Sequence, residues 1–296
     1  MEVGRATRAE LSSPLCSVPH SHTPLIRPDF DRRLELQQIA VSFQACECMR
    51  LENLGLAKPQ NPQNHLIELL PRKDRLSVLA NCEKVHMGIS EVLCEPGAPT
   101  HHAYFPVEGF ISLVTVIADN PGLEVGVVGR EGMLGAHLSL GVVKAPLRGL
   151  VQGSGVAWRI GRVAFMRELE RSVALQRIMS RYVYVLMAQQ AASAACLRFH
   201  MIGPRLARWL LMSQDRSHSD SFHVTHEFLA YMVGVRRVGI TNAAGALQRS
   251  GLIEYRRGNL TVLDRHGLEA AACGCYAADI KSYDALMLKP ALRSAA

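Results

Sequence analysis

Between Arg167 and Arg198 the chain contains no Gly and no Pro, and Leu175, Met179, Tyr182, Leu186, Gln189, Ser193 and Cys196 follow alternating steps of four and three. That spacing predicts one helix of roughly 30 residues and about 45 Å, with the seven residues forming a seam. Its stripe is longer than a small β-sandwich can cover, so the expectation is a homodimer in which each seam meets its twin and Gln189 sets the register. Met179, Tyr182 and Met187 read as core or dimer contacts rather than as the lining of a haem or ligand site. Ile202-Gly203-Pro204 closes the segment, with Pro positioned to open the next helix.

Upstream the period changes from helical to two. A short helix is expected around His65 to Leu79. After it, Val85 to Leu93, Ala103 to Ile117, Leu123 to Val128 and Leu150 to Ile160 are rich in β-branched residues. They are punctuated by Pro96-Gly97, Glu108-Gly109, Asp119-Asn120-Pro121-Gly122 and Gly153-Ser154-Gly155. Short strands with turn chemistry between them indicate a β-sandwich or β-roll. The predicted class is therefore α+β: an N-terminal antiparallel β-roll or jelly roll, a long dimerisation helix, and a third module after it. The expected boundaries are a mobile, Pro-bearing extension over 1–60, the β-roll over 61–166, the long helix over 167–202, the last module over 203–285 and a tail over 286–296.

Composition narrows the function. At 48% hydrophobic and 20% charged the 296 residues can bury a core, which excludes a chain disordered throughout. No run of eighteen apolar residues and no secretory leader is visible, so a cytoplasmic protein without a membrane partner is expected. Eight cysteines are too sparse for a disulfide scaffold and are expected as free thiols. The net charge of +7 invites an acidic partner.

Val224 to Ile253 shows where that charge is used. Thr225 can cap a short helix through Met232, Gly234 supplies a turn, and a second helix runs from about Arg236 to Arg249. The capping box is half present, because the position three residues on is Phe228. Leu252 to Leu263 then reads as strand, tight turn and strand, with Arg256 and Arg257 at the turn: a wing. Over 199–266 nine arginines face five carboxylates. Each arginine pair alone would read as a solvated face; together with the turn and wing they indicate binding of double-stranded DNA. In that reading Arg236, Arg237, Thr241 and Asn242 reach into the major groove, while Thr225, His226, Arg256 and Arg257 hold the backbone.

With Thr225-His226-Glu227-Phe228-Leu229-Ala230-Tyr231-Met232-Val233-Gly234-Val235-Arg236-Arg237 running into Leu252-Ile253, the chain resembles the Crp/Fnr family of bacterial transcription regulators over about 64–285. The resemblance implies a cyclic-nucleotide-binding-like β-roll, a dimer helix, a winged helix-turn-helix and contact with RNA polymerase. It also implies base contact by Arg237, the one residue that carries over directly. Family members commonly open the recognition helix with Ser-Arg-Glu and carry a later Arg; here Arg236, Arg237 and Val238 stand first and Asn242 replaces the later Arg. A different operator is expected.

The effector region departs further. Where cyclic-nucleotide binders place Glu after Gly and an Arg-Ser pair, this chain has Gly132-Met133-Leu134-Gly135 and Ala145-Pro146. Methionine accepts no ribose hydroxyl and Ala-Pro supplies no cation, so cyclic AMP is not expected. Met133, Leu134, Lys144 and Arg148 remain as candidate pocket residues. No cofactor and no metal site is expected either. Cys16, Cys46 and Cys48 do not reproduce an iron–sulfur run. Cys273 and Cys275 would diverge if both lay on a helix, and adjacent His101 and His102 would project to opposite faces of a strand. No catalytic motif is found and no enzyme is expected. The alternative is a ligand- or metal-sensing β-roll with vestigial DNA affinity, suggested by the small residues Gly239, Ala243, Ala244 and Gly245 in the second helix.

Overall fold

The computed structural model describes residues 63–117 and 122–288. The extension expected over 1–60 lies outside these residues, as does most of the expected tail.

The described chain opens on a fully buried Asn64, whose carboxamide oxygen accepts from Leu66 and Ile67 N–H and so caps α1 (His65–Glu68). Its amide donates to the Pro106 and Gly132 carbonyls, which anchors the helix to the sheets. The single helix expected over 65–79 is two, because Pro71 interrupts the backbone ladder and starts α2 (Arg72–Ala80). Seven strands follow: β1 (Cys82–Met87), β2 (Val92–Cys94), β3 (His102–Pro106), β4 (Phe110–Thr115), β5 (Leu123–Val128), β6 (Arg148–Gly153) and β7 (Gly155–Gly161). They form two antiparallel sheets, ordered β1-β7-β3 and β2-β6-β4-β5. Met87, Tyr104, Ile111, Leu113, Val128, Leu134 and Val151 fill the space between them, as the alternation of inward residues requires.

Ser172 divides the long Gly- and Pro-free stretch. It leaves helical geometry and accepts the Leu175 N–H on its hydroxyl, so α3 (Arg162–Arg171) ends and α4 (Val173–Phe199) begins afresh. At 27 residues α4 is about 40 Å long.

After α4 come α5 (Ile202–Ser217), β8 (Ser221–His223), α6 (His226–Val233), α7 (Arg237–Arg249), β9 (Ile253–Arg256), β10 (Asn259–Val262), α8 (Arg265–Ala271) and α9 (Cys275–Tyr283). The three strands make an antiparallel sheet, β8-β10-β9. Leu206, Leu210, Leu229, Met232, Ile240, Leu247, Ile253, Leu260 and Leu268 form one core that locks α5 to α8 around it. The last elements depart from expectation. Met287, in the π-helical turn after α9, packs with Leu66, Phe165 and Met179 on the β-roll side, with Leu286 partly buried beside it, so these two residues belong to the core rather than to a tail.

The seam expected on α4 is corrected as well. Leu175, Met179 and Tyr182 are 1–3% exposed and packed within their own chain, against α3, the first sheet and the 3-10 turn Ala136–Leu140. Cys196 is buried too, and Leu186, Gln189 and Ser193 are partly covered. The chain's own β-roll side buries Leu175, Met179 and Tyr182 of this stripe, and Cys196 is covered beside Cys273. The outward positions are Arg177, Ser180, Tyr184, Met187, Ala191, Ala194 and Arg198, offset alternately by two residues and by one and hence on average about 150° around the helix.

Candidate nucleic-acid interface

Local chemistry shapes the two helices as the sequence suggests. Thr225 caps α6 by accepting the Phe228 N–H at 3.1 Å. Gly234 ends it at φ +67, a conformation that costs a glycine nothing. A Cβ there would also lie 2.4 Å from Leu123 Cδ1. Arg236 is the first residue outside α7 and offers it no side-chain cap, so the first-turn N–H groups of α7 keep no side-chain acceptor. Gly239, Ala243 and Ala244 are small because this face meets α5: a Cβ on Gly239 would stand 2.8 Å from Ile202 Cδ1. The opposite face presents Arg237, Val238, Thr241 and Asn242, all exposed.

The wing is a two-residue hairpin. Arg256 pairs with Asn259, and the residues between, Arg257 and Gly258, both have positive φ. This is the backbone of a type I′ turn, whose twist matches the strands. Arg257 thus holds a left-handed conformation uncommon for arginine, at the exposed tip.

A chain of contacts joins helix tip and wing. Thr241 Oγ1 donates to the Arg237 carbonyl, and His226 Nδ1 lies 3.1 Å from the same hydroxyl. The His226 ring stacks on Tyr255 of β9 with centroids 4.5 Å apart and planes 19° from parallel. Tyr255 hydroxyl donates to the Val224 carbonyl, and its N–H donates to Gln248 of α7. The start of α6, the exposed side of α7 and the strand leading to Arg256 therefore share one surface. Burial, and then the Arg237 guanidinium, hold the His226 imidazole below its ordinary pKa. His226 is half-buried, and its Nε2 has no partner, so it braces the surface rather than projecting from it.

Not every arginine in the basic segment is available. Arg205 donates to the Val233 carbonyl, Arg208 pairs with Asp279 at 2.6 Å, Arg216 with Glu131 at 2.7 Å, and Arg265 with Asp215 at 2.7 Å. Charge counting along the sequence missed this division. Arg236, Arg237, Arg249, Arg256 and Arg257 are exposed.

The expected effector residues separate in the same way. Met133 and Leu134 line a cavity of about 200 Å³ bounded by Leu113, His137, Leu147 and the α4 residues Val183, Leu186, Met187 and Gln190. No Arg, Lys, Asp or Glu lines it. Lys144 is exposed elsewhere, and Arg148 is held by Glu95 at 2.9 Å, so both are removed from the candidate pocket. Beside the cavity, Tyr182 hydroxyl meets the Met133 backbone, and Arg216 of α5 grips Glu131 two residues earlier. Between β-roll and α5, Glu124 accepts from Ser112 at 2.5 Å and from Trp209 Nε1 at 2.9 Å. Burial outweighs those donors and the arginines nearby, and lifts its carboxyl to about 7.

Cys273 and Cys275 do not share a helix: Cys273 lies in the turn after α8, and Cys275 is the first residue of α9. Their thiols converge with Cys196 and His200, correcting the expectation that they diverge.

Fold and surface together define a winged helix-turn-helix domain carried on a β-roll by a long helix. Residues 204–271 match the family model of the Crp-like helix-turn-helix domain. Among solved structures, the chain is similar to a protein assigned to the Crp/Fnr transcriptional regulators of Eubacterium rectale, with 15% identity, coverage of 71% of this chain and 99% of the other, and a TM-score of 0.57. FixK2 from Bradyrhizobium japonicum is similar at 12% identity, 65% and 98% coverage and a TM-score of 0.56. The c-di-GMP-responsive global regulator CLP of Xanthomonas campestris is similar at 16% identity, 65% and 99% coverage and a TM-score of 0.54. No curated protein matches the sequence. The C-terminal module is thus a Crp-like helix-turn-helix domain, and the described chain has the Crp/Fnr regulator fold. No helix among the described residues is long and apolar enough to cross a membrane.

Proposed function

We propose that the protein is a homodimeric, sequence-specific DNA-binding transcription regulator of the cytoplasm, acting by binding rather than by catalysis. The observation that supports this reading is the Thr241–His226–Tyr255 connection, which ties the outward side of α7 to the first strand of the wing, while Arg236, Arg237, Arg256 and Arg257 are each exposed. Arg237 and Asn242 are the base readers: a guanidinium can donate twice to guanine O6 and N7, and a carboxamide pairs with adenine N6 and N7. Arg236, Arg256, Arg257, Thr225 and the uncapped N-terminus of α7 hold phosphates.

The dimer face in this reading is the outward heptad of α4, with Tyr184 and Met187 as its apolar anchors and Ala191 and Ala194 allowing close approach. Tyr184 and Met187 are 60% and 65% exposed in the single chain, as unpartnered positions of a coiled-coil seam would be. The effector is a small uncharged molecule, because the 200 Å³ cavity carries no fixed charge to neutralise a phosphate. Met187 lines that cavity and also stands on the outward face, so effector and partner would address the same turn of α4. Contact with RNA polymerase follows from the family resemblance alone.

Selection of bound duplexes from a random pool tests the proposal. A twofold-symmetric enriched motif is the expected result; recovery of sequences with no common motif would overturn it.

A further inference from the structure

Four side chains that the DNA-binding reading does not use meet at the far end of α4. Cys196 lies in its last turn, His200 is its C-cap, Cys273 is in the turn after α8, and Cys275 opens α9. One ligand atom from each lies within 4.8 Å of all the others. Cys196 Sγ is 3.5 Å from Cys273 Sγ, and Cys275 Sγ is 3.6 Å from His200 Nδ1. A tetrahedral zinc ion, with bonds of about 2.3 Å to sulfur and about 2.0–2.1 Å to nitrogen, sets its ligand atoms roughly 3.5–3.8 Å apart. Two of the six edges of such a tetrahedron, Cys196–Cys273 and Cys275–His200, already have about this length, and the other four are no longer than 4.8 Å.

From this we infer a metal site: Cys196, Cys273, Cys275 and His200 Nδ1 bind one zinc-type divalent ion. Three soft thiolates and an imidazole are the donor set that selects zinc over magnesium or calcium, and atoms this close converge on one ion rather than on the separate irons of a cluster. Binding releases three thiol protons and leaves the site with a charge of −1. Arg205 and Arg208 lie close enough to Cys196 and Cys273 to act on them electrostatically, and so offset that charge. Cys196 and Cys273 are buried, while His200 is exposed, which leaves a way in for the ion. The ion would tie the end of the long helix to the turn that leaves the winged domain, closing a loop that spans 196–275 in the sequence. Nothing in this inference requires that the protein bind DNA.

The test uses the full chain, purified reduced and without chelator after growth in zinc-supplemented medium. About one ion per chain is expected by elemental analysis. Cobalt replacing the zinc should give the intense visible bands and thiolate-to-cobalt charge transfer of a tetrahedral thiolate site. Cys275→Ser and His200→Ala change partly exposed and exposed residues, so they test the ligands without emptying the core. Each should weaken metal retention against a chromogenic chelator at least about tenfold, with unchanged circular dichroism. Cys94→Ser, outside the cluster, should retain the ion as the parent does. A parent chain that holds neither zinc nor cobalt would overturn the site, whether its thiols are free or Cys196 and Cys273 are recovered as a disulfide. So would equal metal retention by Cys275→Ser and the parent.

Discussion

Arginine side chains at two exposed places carry different information. Arg237 sits one turn before Thr241 on the outward face of α7, whereas Arg257 stands at the wing tip on a strained backbone. Arg237→Ala should cost about 1–3 kcal/mol on the selected site and relax one base position, with little change on random duplex. Arg257→Gly keeps the positive φ available and removes only the charge. It should weaken all sequences alike and reduce the salt slope by about 1. Fluorescence anisotropy on selected and random duplexes at several salt concentrations separates them; equal losses for both variants on both duplexes would refute these roles. The base-reading candidates were legible because exposed arginines at a helix start follow from local pattern. The use of Arg205, Arg208, Arg216 and Arg265 as internal ties was not, since their partners Val233, Asp279, Glu131 and Asp215 are brought near only by the fold.

Elements meet through groups whose state depends on that meeting. Glu124 on β5 is tied to Ser112 of β4 and to Trp209 of α5, and its carboxyl is raised from 4.5 to about 7. An acid with a raised folded pKa favours the folded state while protonated. Its contribution is full below about 4.5, falls as pH rises to about 7 and is gone above it. Unfolding by urea should show a loss on the order of 2 kcal/mol between pH 5 and pH 8. In Glu124→Gln, where the amide oxygen can accept from Trp209 Nε1 and the amide N–H can donate to the Ser112 hydroxyl, that component should be missing; an unchanged pH slope would show that Glu124 is not its source. On α4 the two faces should respond oppositely. Met187→Glu, on the outward face, should convert a dimer to a monomer by light scattering with stability within about 0.5 kcal/mol. Met179→Ala, on the buried face, should cost about 2–5 kcal/mol of stability instead. A heptad stripe was visible along this helix from the spacing alone. Which of two interleaved stripes turns inward was decided by the β-roll and α9, because periodicity gives a direction relative to the helix and not relative to its neighbours.

Taken whole, a dimer joined along α4 would carry two α7 helices to successive major grooves, with half-sites about 34–36 Å apart. Inserting five base pairs between the halves of the selected site turns one half to the opposite side of the duplex, and should lower affinity at least about a hundredfold. Undiminished binding would mean that the protomers act separately. With three or four arginines of each protomer on phosphates, the logarithmic salt slope should lie near −5 to −7.

The β-roll, the winged module and their order were readable in the chain itself, because turn chemistry, capping and hydrophobic period are local properties that neighbouring residues settle among themselves. So were Thr225, Gly234 and a tight turn carrying Arg257, although the turn pair is Arg257-Gly258 and Arg256 ends the strand before it; each acts within a few positions of its own backbone. The convergence of Cys196 and His200 with Cys273 and Cys275 was decided only by tertiary structure, as were the apolar character of the cavity beside Met133 and the inward choice of the α4 stripe. Each of these is a contact across tens of residues of intervening chain, where side chains meet because helices and sheets pack, and a local pattern carries no record of what lies opposite.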